Sequence, residues 1–226
     1  IYIHVPFCRQ ACHYCNFHFS VSLRHKAAFV DCLLREIALQ AGFFGPSPDG
    51  KAGKWPIDTI YLGGGTPSIL SVADLVRIFE AIGKTFHVTE QAEISLEVNP
   101  DDMSREKLLA IRQTAVNRLS IGIQSFRYAD LSYMNRIHSP AQALEALDNA
   151  RSAGFENISA DLIYGTPGMS DEHWVENLQR LFERDIPHIS AYALTVEPRT
   201  ALDIFIRKGR MLPVSEDQQA RQFFIM

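Results

Sequence analysis

Short β-rich runs and amphipathic helical stretches alternate along this whole sequence with a period of about 30 residues, which restricts the chain to an α/β fold with parallel strands. Strand patterns fall at 1–5, 59–62, 93–98, 118–123, 157–163 and 188–193. Helical patterns fall at 24–41, 71–84, 104–114, 129–135, 141–153 and 171–184, and a last one begins at Ser215. Ser71 and Ser104 stand where a helix N-cap is wanted, Gly154 closes 141–153, and 42–55 reads as a loop. Strands joined through helices pair in parallel with right-handed crossovers. Six such units fit a partial (β/α)6 TIM-like barrel better than an open sheet with a nucleotide crevice, though periodicity alone leaves both open.

In either architecture chemistry belongs at the C-terminal ends of the strands. There the sequence departs most from an ordinary core. Behind the first strand come Cys8-Arg9-Gln10-Ala11-Cys12-His13-Tyr14-Cys15, three thiols within eight residues. Soft thiolates suit iron–sulfur clusters or zinc. Three of them hold three irons of a cubane and leave the fourth open, which is useful only if another molecule binds there. The competing reading is a zinc site completed by His4, His13 or His18. Disulfides fit least, because three clustered thiols cannot pair off and no signal peptide is visible; Cys32 stands apart in a helical stretch.

The other strand ends carry Gly63-Gly64-Gly65-Thr66-Pro67, Glu97-Val98-Asn99-Pro100, the stretch 122–125, the stretch 161–167 and the stretch 192–198. Three consecutive glycines imply a positive φ or a close approach of a ligand to the main chain. Without a following Lys-Ser/Thr they are no phosphate loop, and the expectation is a clamp of backbone amides on a ligand's polar group. Glu97 ends an alternating strand and suits an ammonium or ribose hydroxyls, with a surface salt bridge as the plain alternative. Gln124, Arg136 and Asp161 join the same rim by pattern, and Arg136 is a candidate for bidentate pairing with a carboxylate. The eight histidines form no metal-binding triplet. A net charge of −4 gives no basic field for nucleic acid, and no apolar run approaches the roughly 20 residues that span a bilayer. The free thiols imply a reducing, cytoplasmic setting. The sequence starts on an apolar run without Met and stops at Phe223-Phe224-Ile225-Met226 within a helical pattern, so more sequence is expected beyond it. That divides the chain into a barrel over 1–200 and the start of a C-terminal region over 201–226.

Taken together, these stretches resemble the radical S-adenosylmethionine superfamily, and within it the group of oxygen-independent coproporphyrinogen III oxidases and their haem-chaperone relatives. The resemblance is carried by 2–8, the three-cysteine loop, and the stretches 62–67, 93–100, 118–126 and 161–167. It implies a [4Fe–4S] cluster on Cys8, Cys12 and Cys15 with S-adenosylmethionine chelating the fourth iron, and a 5′-deoxyadenosyl radical formed on one-electron reduction by a protein such as flavodoxin. By position, Tyr2, Gly64 and Glu97 correspond to ligands of that adenosylmethionine. Gly65, Thr66, Gln124, Arg136, Asp161 and Thr195 correspond to contacts of a second one in the oxidases. No residue is assigned as catalytic. The oxidases carry a further cysteine two residues after the third, where this chain has Phe17. That departure, with the stretch 134–139, resembles the chaperone branch, which is associated with binding haem as cargo and delivering it to acceptor haemoproteins. The alternative is the oxidase reaction, decarboxylation of porphyrinogen propionates.

Overall fold

The computed structural model describes residues 1–43, 45 and 55–226. Most of the expected 42–55 loop lies outside the described residues. The elements, in chain order, are β1 (Tyr2–Val5), α1 (Lys26–Leu39), β2 (Pro56–Gly64), α2 (Val72–Thr85), β3 (His87–Val98), α3 (Arg105–Arg112), β4 (Arg118–Gln124), α4 (Tyr128–Tyr133), α5 (Pro140–Ser152), β5 (Asn157–Tyr164), α6 (Asp171–Phe182), β6 (His188–Ala193), α7 (Ala201–Arg207) and α8 (Glu216–Ile225).

The six strands form one sheet in the order β1-β2-β3-β4-β5-β6, every neighbouring pair parallel. Spatial order follows chain order, so there is no reversal point and no nucleotide crevice of the doubly wound kind. With crossovers of one hand, a singly wound sheet keeps its helices on one face and curls away from them, which gives the partial barrel. β1 and β6 are its two edges.

Period-two alternation sorts the strands into a helix-facing and an inward-facing set. Leu62, Leu96, Leu119, Ile121, Ile158 and Leu162 are fully buried and belong to the main core with Leu75, Ile78 and Ile82 of α2, Leu108 of α3, Leu147 of α5 and Trp174 of α6. The residues between them, Tyr61, Ser95, Glu97, Ser120, Ser159 and Asp161, are polar. The helices start where serines can satisfy their free amides. Ser71 pairs with Asp74, Ser139 with Gln142 and Ser170 with His173 in reciprocal capping boxes, and Ser104 and Ser215 accept single bonds. Each such cap contributes about 1 kcal/mol.

Three differences from the sequence reading stand out. β2 and β3 begin earlier than expected, and Pro56 and Ile57 pair with His87 and Val88 across a register shift. A proline that opens a strand loses no ladder bond. A short helix, α7, follows Thr200, whose hydroxyl accepts from the Asp203 amide. And α8 is seated on the barrel by glutamines: fully buried Gln222 accepts from the Gly165 N–H and donates to Met169 O and Ser170 O, while Gln219 donates to Leu194 O.

Candidate metal and cofactor site

At the tip of β2 the glycine loop lies flush against β1. Gly64 has φ +113°, and a Cβ there would come within 2.6 Å of the His4 ring; one on Gly65 would come within 2.6 Å of Phe7 O. The main chain needs glycine here for both its conformation and its neighbours. The expected amide clamp gives way at this point. Gly64 N–H donates to Glu97 Oε2 at 3.0 Å, and Gly65 N–H donates to Val5 O at 2.9 Å. Tyr61 donates its hydroxyl to the other Glu97 oxygen at 2.9 Å. With those bonds made, the Gly64 and Gly65 N–H groups are committed within the protein.

Between β1 and α1 the cysteine loop is held from three sides. Cys8 N–H donates to Ser20 O, His13 N–H to Met134 O, and Leu202 N–H, from the start of α7, to His13 O. Asn135 donates to Ala11 O at 2.7 Å, and Arg9 donates to the buried Asp102 carboxylate at 2.7 and 3.0 Å. His4 bonds Tyr2 through one ring nitrogen and His18 O through the other; His13 donates to Tyr133 O.

Two of the thiols receive a side-chain donor. Thr66 Oγ1 donates to Cys8 Sγ at 3.7 Å, and Arg136 Nη1 donates to Cys12 Sγ at 3.5 Å. Burial pushes the Cys15 thiol up, and the main-chain N–H of Phe17 opposes that shift. Burial likewise raises Cys8. Among the described residues no three His, Cys, Asp or Glu side chains close on a single metal-ion position. A tetrahedral zinc would want its sulfurs about 3.8 Å apart, given Zn–S bonds near 2.3 Å, whereas a cubane gives each thiolate its own iron. Three part-buried thiols facing one cavity, two of them with a side-chain hydrogen-bond donor, fit a cluster.

That cavity measures about 420 Å³. It brings together Cys8, Cys12, Cys15, Gly64, Gly65 and Thr66 with Glu97, Gln124, Arg136, Asp161 and Thr195. Tyr2 is not among its lining residues: it is 60% exposed on the edge strand, with its ring stacked on Tyr61. The wall opposite the thiols is acidic. Burial raises Glu97, against the pull of Tyr61 and Gly64. Burial, then the Glu97 charge, pushes Asp161 up to about 6, opposed by the hydroxyls of Ser120 and Ser190. Two neighbouring carboxyls of raised pKa make a place for a cation. Gln124 sits at φ +64°, where β4 and β5 shift register, so its side chain is aimed by a strained main chain. Arg136 is committed inside the protein: Nη2 donates to Asn99 Oδ1 at 2.8 Å and Gly122 O at 2.9 Å. Thr195 is exposed and donates to Ala193 O.

The sequence reading passed over Tyr61, Asn99 and Ser120. Asn99 and Ser120 line the cavity, Tyr61 braces Glu97, and Ser120 donates to Asp161. Their signal was parity: Tyr61 shares the inward face with Gly63, Asn99 with Glu97, and Ser120 with Gly122.

The site is thus a parallel partial barrel with three part-buried thiols at its C-terminal rim, facing a cavity that also holds two part-buried carboxyls. The chain belongs to the radical SAM superfamily, whose sequence profile matches residues 2–181; membership implies a [4Fe–4S] cluster and adenosylmethionine. It is 34% identical to heme chaperone HemW of Bacillus subtilis (strain 168), over 100% of this chain and 58% of that protein. To heme chaperone HemW of Lactococcus lactis subsp. lactis (strain IL1403) it is 34% identical, over 98% of this chain and 56% of that one. The solved structure of HemN, the radical SAM coproporphyrinogen III oxidase of Escherichia coli, superposes with a TM-score of 0.82 at 29% identity, over 98% of this chain and 50% of that one. The chain thus spans a little over half the length of the curated relatives it matches. Among the described residues no helix is long and apolar enough to cross a membrane.

Proposed function

We propose that the protein carrying this chain is a haem chaperone of the radical SAM type, which binds haem and hands it to acceptor haemoproteins in the cytoplasm. The observation that carries the reading is the cysteine loop. Three thiols face the cavity, and Phe17, 66% exposed, stands two residues after the third. A side chain without a sulfur at that place separates the chain from the oxidase pattern. Cys8, Cys12 and Cys15 would hold the cluster, and Glu97 and Asp161 would face the positive groups of adenosylmethionine. Gly64, Gly65, Thr66, Gln124 and Thr195 line the space left for it, and Tyr2 acts from outside by packing on Tyr61. When bound, the cluster supplies one-electron chemistry to adenosylmethionine, with the electron drawn from a reductant such as flavodoxin. The chain's own part is to orient the cation, keep water from the thiols and hold Asp161 near its protonation midpoint.

The oxidase reading has one observation in its favour, the close superposition on the Escherichia coli enzyme over nearly the whole chain. The deciding experiment reconstitutes the whole protein anaerobically and assays it in parallel with haem, and with coproporphyrinogen III plus adenosylmethionine and reductant. Stable haem uptake without decarboxylated product is the expected result. Carbon dioxide release with vinyl formation refutes the chaperone reading.

A further inference from the structure

Four hydrogen bonds link Arg136, Asn99 and Thr66 to two of the thiols. Arg136 Nη2 donates to Asn99 Oδ1 at 2.8 Å, Asn99 Nδ2 donates to Thr66 Oγ1 at 3.1 Å, and Thr66 Oγ1 donates to Cys8 Sγ at 3.7 Å. The other guanidinium nitrogen, Nη1, donates to Cys12 Sγ at 3.5 Å. The direction of this chain is forced. A guanidinium has only donors, so it turns the amide oxygen of Asn99 toward itself and leaves the amide nitrogen facing Thr66. That N–H occupies an acceptor position on the threonine hydroxyl, whose single proton is then aimed at sulfur.

Among the described residues the side chain of Asn99 bonds only Thr66 and Arg136, at the cavity wall. Its main chain already serves the turn at Pro100–Asp102: its N–H donates to Ser68 Oγ at 3.4 Å, and its carbonyl accepts from Asp102 N–H at 3.0 Å. Removing the side chain leaves both in place. Arg136 is half-buried, with its Nε enclosed and unpartnered among the described residues, an unfavourable placement for a guanidinium whose work is surface charge.

We propose that Asn99 is a positioning residue: it locks Thr66 and Arg136 so that a hydroxyl and a guanidinium N–H donate to the thiolates of Cys8 and Cys12, and this relay raises the reduction potential of the cluster they hold. The inference rests on the cluster reading above. Hydrogen bonds to thiolate sulfur draw off electron density and favour the more negative, reduced cluster, which is one of the levers a protein has on such potentials. The buried setting strengthens each bond. Arg136, placed by pattern beside a ligand carboxylate, thus acts on the metal side of the site.

The test is a redox titration of the anaerobically reconstituted whole protein, followed by the electron paramagnetic resonance signal of the reduced cluster and needing no turnover. Thr66→Val removes the donor to Cys8 while keeping the shape. It is expected to shift the oxidised-to-reduced ratio tenfold at a fixed ambient potential, a fall of about 59 mV for one electron. Thr66→Ser keeps the hydroxyl and the parent midpoint. Asn99→Ala frees the hydroxyl to rotate and moves the midpoint the same way by a smaller amount, with cluster content unchanged; it gives the answer if Thr66→Val assembles poorly. Midpoints unmoved in Thr66→Val and Asn99→Ala overturn the relay while leaving the cluster reading intact. A parent protein that takes up no iron overturns the cluster reading itself.

Discussion

Gly64→Ala is the sharpest perturbation the site offers. Two costs add. The first is conformational: φ at Gly64 is +113°, a value L side chains rarely adopt, and strain of this kind costs about 1–3 kcal/mol. The second is steric. The new methyl would stand 2.6 Å from His4 Nδ1, 2.7 Å from Cε1 and 3.0 Å from Cγ. The ring cannot step aside freely, because Nδ1 is bonded to the Tyr2 hydroxyl at 3.2 Å and Nε2 to His18 O at 2.8 Å. Overpacking against a held group costs about 1–3 kcal/mol. The sum, about 4 kcal/mol, is a large share of the roughly 5–15 kcal/mol that keeps a domain folded. Urea unfolding of parent and variant measures it as a fall in midpoint at constant slope. The double variant with His4→Ala separates the two costs. Without the ring only the conformational part remains, so the penalty of Gly64→Ala should drop by about 1–3 kcal/mol in that background. A loss below about 1 kcal/mol, or an identical penalty with and without the His4 ring, would refute the reasoning.

Iron content per chain after anaerobic reconstitution should collapse in Cys8→Ala, Cys12→Ala and Cys15→Ala and survive in Cys32→Ala, whose thiol is exposed on α1 away from the loop; equal iron in all four would remove the cluster assignment. Asp161 gives a pH signature. Its native pKa of about 6 lies above the ordinary aspartate value of 3.8, so the folded state binds more protons between those values, and stability falls as pH rises from about 4 to about 6, by at most about 3 kcal/mol. Asp161→Asn should flatten that limb of a stability–pH curve from chemical denaturation, and an unchanged limb would place the titration elsewhere. Gln222→Leu strands the Gly165 N–H under α8, while Met169 O keeps the Gln218 amide and Ser170 O keeps the Trp174 N–H, a loss of about 1–3 kcal/mol for the one stranded group. Hydrogen exchange should then quicken in α8 and the turn before α6; protection like the parent's would mean the glutamine is not what seats the helix.

The strand ends were legible because two independent signals coincide there, the end of an apolar alternation and a cluster of glycines and polar groups. The parallel pairing follows from the same alternation; the singly wound order does not, since periodicity alone fits an open sheet as well, and the strand order β1-β2-β3-β4-β5-β6 decides it. The helix α7 escaped because seven residues carry too little periodicity. It is held instead by contacts remote in sequence, Leu202 N–H on His13 O and Phe205 edge-on to the His13 ring. Tyr2 illustrates a different limit. Parity places it on the inward face with His4, but β1 is an edge strand, and pattern alone does not say that an inward residue on the edge is left outside the cavity. The relay through Asn99 was unreadable for a third reason. Its partners lie 33 and 37 residues away, at Thr66 and Arg136, separations that no local periodicity reports.

The polarity of the inner face follows from the winding. Helices packed on the convex side leave most of the concave side without an apolar partner, Ile163 against Leu131, Met134, Leu194 and Leu202 at the rim being the exception, so its other residues are free to be chosen for contents rather than for core. The choice of serine is informative. Ser120 stands in register with Glu97 on one side and Ser159 on the other, and Ser190 stands beside Asp161. A valine at Ser120 would fill the same backbone site with more volume and no donor. Serine leaves room, and its hydroxyl is bonded to Asp161 at 3.3 Å. Small side chains thus do two things at once: they keep the cavity open, and they hold an acid that burial alone would neutralise close enough to its midpoint to meet a cation. The same logic places glycine rather than alanine at Gly122, where a Cβ would crowd the Gln124 amide at 3.0 Å and the Arg136 guanidinium at 3.2 Å. The inner face is therefore read from the size of its residues as much as from their charge, and that size pattern ties the acidic wall to the thiol wall across a single cavity.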